Sequence, residues 1–235
     1  MIPLRDDQPT FSTPFVNYFL VVLSVLVYIW QRSVEIQNPR ALHAFVMEFG
    51  VVPHHTLAVV TGHSYDSLTT AILPLFTSMF LHASLLHVAG NMLFLWIFGD
   101  NVEDYLGHFT YLVFYLLSGV AAGVTHILLN QASRAPTVGA SGAIAGVMGA
   151  YFILYPRARV LVWFPPIFFF HVPAWLMLGY WFMINFVSGT STALAETSQN
   201  SGGIAFWAHI GGFVAGVVMI NVFRERPHRY RYGTW

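Results

Sequence analysis

The sequence predicts an all-α, polytopic membrane protein built as a bundle of six transmembrane helices. Three observations lead there. Of 235 residues, 56% are apolar and only 9% are charged, whereas an average soluble domain carries about 25% charge and needs it to cover its surface. Those few charges gather between long apolar runs. The arginines among them are shared unevenly between the two ends of the runs. Aromatic residues reach 17% of the chain, which excludes a disordered protein.

A span needs about 20 mostly apolar residues. Residues 14–31, between Asp6/Asp7 and Arg32, supply the first. No small-residue cleavage site follows that run, so it is expected to be retained and not removed as a leader. The connection from 32 to about 70 is too long for an idle loop, and its amphipathic parts, 42–49 and 51–60, are expected on the membrane surface. No charged residue occurs from Ser67 through Gly99, which predicts a second span near 78–98. A charge-bearing turn at Asp100–Asp104 is expected before a third span at 109–129. Residues 139–155 form a short, glycine-rich fourth span, expected inside the bundle. The charge-free stretch 160–187, with Pro165, Pro166 and Pro173, reads as an interfacial or re-entrant lead-in followed by the fifth span. The sixth is expected at 203–222. The resulting division is a cytoplasmic segment 1–13, a membrane domain 14–222 and a basic cytoplasmic tail 223–235.

With both termini in the cytoplasm, that side receives Arg5, Arg157, Arg159 and the four tail arginines, and the other receives Arg32, Arg40 and Arg134. Seven against three favours this orientation, as expected for a plasma (inner) membrane protein of a prokaryote. The net charge is zero and every basic residue is arginine, scattered over loops and tail. No clustered basic groove exists for nucleic acid, and no such partner is expected. The chain has no cysteine, which excludes disulfides, thiolate metal sites and a thiol nucleophile. No cofactor or metal is expected, and the sequence does not define an oligomeric state.

Polar groups at membrane depth are functional candidates by default. His82, His87 and Asn91 fall on the second span, Ser141 at the start of the fourth and His209 within the sixth. His87 and Asn91 are four apart and share a helix face. Ser141 lies in Gly139-Ala140-Ser141-Gly142, where the glycines permit an unusual turn and close backbone approach. A hydroxyl there can act as a nucleophile beside helix-start N–H groups aimed at a developing oxyanion, although a serine in that position is also an ordinary cap. Glycines four apart, Gly142/Gly146 and Gly212/Gly216, predict two smooth faces that pack together. That contact brings His209, about 9 Å below the start of its helix at 1.5 Å per residue, beside Ser141. A metal site from His82, His87 and His209 would lack a carboxylate or thiolate. A channel or transporter is disfavoured, because no inverted repeat is evident and no span carries a carboxylate to couple ions.

Three motifs, HASLLHVAGN at 82–91, GASGAIAGVMGAY at 139–151 and AHIGGFVAG at 208–216, resemble those of the rhomboid family of intramembrane serine proteases. The resemblance implies a six-helix core around a cavity opening away from the cytoplasm. It places the nucleophile on Ser141 and the general base on His209, as a dyad without an acidic third member. It places oxyanion-stabilising side chains on His87 and Asn91, a structural histidine on His82, and a helix-packing glycine on Gly212. Gly139 and Gly142 flank the nucleophile. Substrates would be single-span membrane proteins in the lipid bilayer; a catalytically inactive, client-binding relative is the alternative. The sequence departs from some bacterial members in two places. The stretch DSLTTAILPLF at 66–76 lacks their Trp-Arg pair, and Ala145 stands where they carry a tyrosine over the catalytic histidine.

Overall fold

The first apolar run forms helix α1 (Phe15–Gln37) in a computed structural model that describes residues 1–194 and 205–223. Three short helices follow across the long connection: α2 (Pro39–Phe49), α3 (Pro53–Val60) and α4 (Leu68–Thr77). Asn38 caps α2 by accepting from the N–H groups of Arg40 and Ala41, with Pro39 at the first helical position. The connection is anchored by aromatic contact, with Trp30 of α1 meeting Phe45 at 4.7 Å and Phe45 meeting Phe49 at 4.5 Å. The Thr77 hydroxyl donates to the Phe49 carbonyl at 2.7 Å. These contacts hold the connection on either side of the stretch 66–76, which lacks a Trp-Arg pair.

A single 3-10 turn at Ser78–Phe80 and an extended stretch precede α5 (Leu85–Leu106), capped by the Ser84 hydroxyl. The second span therefore begins later than expected, and His82 lies before the helix and not on it. The acidic residues at 100–104 are helical, which corrects the expected turn; the chain reverses instead at Gly107, with φ of 77°. Their carboxylates are already satisfied. Glu103, fully buried, accepts from the N–H groups of Val16 and Asn17 at 2.9 and 2.7 Å and thus caps α1. Asp100 accepts from the Thr10 hydroxyl at 2.8 Å, and Asp104 from the Ser12 N–H at 2.7 Å.

Helix α6 (His108–Leu129) leads through a loop to α7 (Ser141–Leu154), in which every residue from Gly142 to Tyr151 is buried. This short helix, expected as the fourth span, lies at the centre of the bundle. After it come strands β2 (Arg159–Phe164) and β3 (Phe168–Pro173), then α8 (Ala174–Leu194) and α9 (Phe206–Val222). The β2–β3 hairpin is joined by an N-terminal strand, β1 (Ile2–Asp6), in an antiparallel sheet of order β1-β2-β3. This sheet corrects the all-α expectation and replaces the irregular lead-in. Alternating burial along β2, with Val160 and Val162 inward, is the half-buried pattern of a strand. By length and composition, α1, α5 and α6 are able to cross a membrane, and the protein is a multi-pass, largely helical integral membrane protein. The arginines of the tail, Arg224, Arg226, Arg229 and Arg231, lie outside the described residues.

Glycine decides how α7 meets its neighbours. A Cβ on Gly212 of α9 would lie 2.0 Å from the Gly142 carbonyl oxygen, and one on Gly216 2.0 Å from that of Gly146. Backbone thus touches backbone along the whole α7–α9 seam, as the two stripes of small residues predict. On the α6 side, Ser118 and Ala122 press against Gly146 and Gly142.

Candidate active site

Close packing of α7 on α9 sets the first contact of the site. His209 Nε2 lies 2.7 Å from Ser141 Oγ. Ser141 is the first residue of α7, so its N–H has no carbonyl one turn back within the helix. The loop leading to it is held from three directions. Val51 and Thr137 exchange N–H···O bonds of 3.0 and 2.8 Å, the Gly139 N–H donates to the Ser78 carbonyl at 2.8 Å, and His126 Nε2 meets the Thr137 hydroxyl at 2.9 Å.

His87 and Asn91 approach the same loop from α5. Gly139 has φ of 132°, and a Cβ there would meet His87 Cε1 and Nε2 at 2.7 Å and Asn91 Nδ2 at 3.7 Å. Glycine at 139 is needed both for the backbone angle and for the space. The Asn91 amide nitrogen is buried without a hydrogen-bond partner among the described residues, a donor aimed into the site. His82 is 2% exposed and stands edge-on behind His87, ring centroids 5.2 Å apart. Its backbone N–H donates to Gln31 Oε1 at 3.0 Å, which ties it to α1.

Ser141, His209, His87 and Asn91 line a cavity of about 680 Å³ in which no described lining residue carries a formal charge. Three polar functions converge there: a hydroxyl against an imidazole nitrogen, a free amide donor, and a second imidazole. Among the described residues, no three His, Asp or Glu side chains are grouped as a metal requires.

Two neighbours of His209 escaped the sequence reading. Asn185 of α8 places Oδ1 2.6 Å from His209 Nδ1, and Trp181, one turn earlier, lies 5.5 Å from the imidazole, ring centre to ring centre. Trp181 thus sets an aromatic ring beside His209, where Ala145 supplies none. The available signal was an uncharged polar residue inside the apolar stretch read as the fifth span.

Fold and site together describe a helical membrane protein with a serine hydroxyl bonded to a histidine inside its bundle. The rhomboid domain family matches residues 69–226, and the chain belongs to that family. It is 30% identical over 153 residues to Rhomboid protein 1, mitochondrial, of Saccharomyces cerevisiae, covering 63% of this chain and 41% of the yeast protein. It is 29% identical over 160 residues to the mouse presenilin-associated rhomboid-like protein, mitochondrial, covering 65% and 38% of the two chains. The RHOMBOID-like protein 1 of Arabidopsis thaliana is 32% identical over 158 residues, covering 67% and 36%. The matches span about two fifths of these relatives' own length.

Proposed function

We propose that the chain is an intramembrane serine endopeptidase that cleaves single-span membrane proteins in or near their transmembrane segments. The 2.7 Å contact between His209 Nε2 and Ser141 Oγ carries this reading. His209 takes the hydroxyl proton as Oγ attacks a substrate carbonyl. The Asn91 amide, His87 and the Ser141 N–H then donate to the tetrahedral oxygen, each donor being worth about 2.7–4 kcal/mol in the transition state. The imidazolium returns its proton to the leaving amine, and water in the cavity hydrolyses the acyl-enzyme with His209 again as base. A helical peptide bond presents its carbonyl poorly, so substrates whose helices unwind readily are preferred. A rhomboid-like factor that binds clients without cutting them would have no use for the Ser141–His209 contact.

Membrane placement follows from the same elements. The six spans of this reading are α1 and α5 to α9, within the membrane domain 14–222. Helix α7, with 14 residues, is about 21 Å long, shorter than a hydrocarbon core of about 30 Å. It cannot reach both surfaces, and this reading sets Ser141 below the outer one, reached through the cavity. Both termini face the cytoplasm, on the arginine asymmetry. The matching relatives named above are eukaryotic, two of them mitochondrial, and lend the prokaryotic assignment no support; orientation and not organism is what the arginines argue.

The test is cleavage of a single-span reporter by the purified chain in liposomes, beside Ser141→Ala and His209→Ala. Both variants are expected to fold and to yield no product. Cleavage persisting in Ser141→Ala overturns the nucleophile.

A further inference from the structure

Asn185 is a buried amide, 6% exposed, on the apolar helix α8. Its two polar atoms are engaged differently. Nδ2 donates to the Trp181 carbonyl at 2.8 Å, and Oδ1 faces His209 Nδ1 at 2.6 Å. A carbonyl oxygen only accepts, so the Trp181 contact requires the NH2 end and turns the amide oxygen towards the imidazole. The reverse orientation would set Oδ1 against the Trp181 oxygen, lone pairs against lone pairs. With Oδ1 as its partner, Nδ1 carries the hydrogen. In a neutral imidazole the lone pair then lies on Nε2, the atom 2.7 Å from Ser141 Oγ. The opposite tautomer would place a hydrogen on Nε2 and leave His209 unable to accept the serine proton.

We propose that Asn185 is a positioning residue that selects the base-competent tautomer of His209, so that Ser141, His209 and Asn185 form one hydrogen-bonded chain across α7, α9 and α8. The inference rests on the protease reading. Asn185 touches no reacting atom and acts only through the Nδ1–H. When His209 is protonated, Oδ1 keeps accepting from Nδ1 while Nε2 holds the transferred proton, so the chain persists through the reaction. Trp181 supplies the amide's fixed carbonyl and packs on the ring, which makes this turn of α8 a bracket for the base.

The experiment uses the full chain in phosphatidylcholine–phosphatidylglycerol liposomes with a single-span reporter, comparing wild type, Ser141→Ala, Asn185→Leu and Asn185→Asp. Leucine keeps the branched shape and the number of side-chain heavy atoms and removes the acceptor. Aspartate restores an acceptor oxygen, and in its neutral form can still donate to the Trp181 carbonyl. Asn185→Leu is expected to lower kcat, and the rate of Ser141 labelling by a fluorophosphonate, roughly 10- to 100-fold with KM little changed, less than the roughly 10²–10⁴-fold of losing a general base outright, because the base itself remains. Asn185→Asp is expected to recover most of both. In 15N-histidine-labelled protein, the His209 resonances should report the Nδ1–H tautomer in wild type and a mixture in Asn185→Leu. Wild-type kcat and tautomer in Asn185→Leu overturn the proposal, as does Asn185→Asp as inactive as Asn185→Leu, since that pattern marks packing alone. A wild type without Ser141-dependent cleavage or labelling overturns the protease reading itself. Intact wild-type cleavage that Asn185→Leu leaves unchanged overturns only the role of Asn185.

Discussion

At the scale of single residues, the site depends on positions where side-chain volume is forbidden as much as on those where chemistry is required. Gly139 shows this most directly. Its φ of 132° lies in a region that L-residues avoid, and an added Cβ would stand 2.7 Å from the His87 ring. Gly139→Ala is therefore expected to displace His87 and the turn into Ser141 while leaving the helix seams intact. Cleavage should fall by at least about 10-fold, an effect of the order of losing part of one oxyanion donor, while the thermal midpoint drops much less than for a substitution in the α7–α9 seam. Equal losses of activity and stability would contradict this. The residues of this site were unequally legible in the sequence. Ser141, His87, Asn91 and His209 sit in short motifs whose spacing relates them to a helix start or a helix face. Asn185 and Trp181 belong to no motif. Which face of α8 turns towards His209 is set by packing between residues 24 apart in the chain, and local periodicity does not encode that rotation.

At the scale of elements, the α7–α9 seam positions the serine against the histidine, and its tolerance is small. Gly212→Ala would put a methyl group 2.0 Å from the Gly142 carbonyl oxygen, so the helices must part. Overpacking of this kind costs about 1–3 kcal/mol, and even a small separation lengthens the Ser141–His209 contact. The expected outcome is a lower unfolding temperature in detergent together with loss of reporter cleavage. Gly179→Ala is the matching control, because a Cβ on Gly179 of α8 meets nothing within 4 Å; its stability and activity should stay at wild-type level. Normal cleavage by Gly212→Ala would show that the seam does not set the geometry. The glycine stripes made this pairing readable in advance, since small residues four apart imply a close neighbour. The acidic stretch at 100–104 is helical and not a turn for a complementary reason. Charge in a membrane protein ordinarily marks a loop, but Asp100, Glu103 and Asp104 are paired with residues some 90 positions earlier, and no local pattern announces partners so distant.

At the scale of the whole molecule, the sheet fastens the N-terminus to the end of α7 opposite Ser141. The Asp7 backbone N–H donates to the Arg159 carbonyl at 3.0 Å, the Arg159 N–H returns a bond to the Asp7 carboxylate at 2.7 Å, and the Tyr151 hydroxyl donates to Asp6. Two short strands around Pro165 and Pro166 were hard to recognise in advance, because Phe168–Phe170 reads equally as an apolar helix or a span and β1 is only five residues long. This junction is titratable. Burial raises the Asp6 carboxyl from its ordinary 3.8 to about 6; the Tyr151 hydrogen bond works against the shift, while nearby Asp100 and Asp7 add to it. Between those two values the folded state holds a proton that the unfolded chain has released, so stability falls as pH rises through that window and levels off above it. Asp6 therefore contributes most below about pH 4 and least above about pH 6. Backbone hydrogen exchange at the β1–β2 pairing is expected to quicken, beyond its intrinsic pH dependence, between about pH 4 and pH 6. Asp6→Asn should abolish that extra dependence, because the amide stays neutral throughout and can still accept from Tyr151. Tyr151→Phe removes the group that holds the carboxyl down and should shift the change to higher pH. A dependence identical in wild type and Asp6→Asn would assign it to another group and sever the link between this carboxyl and the docking of the N-terminal strand.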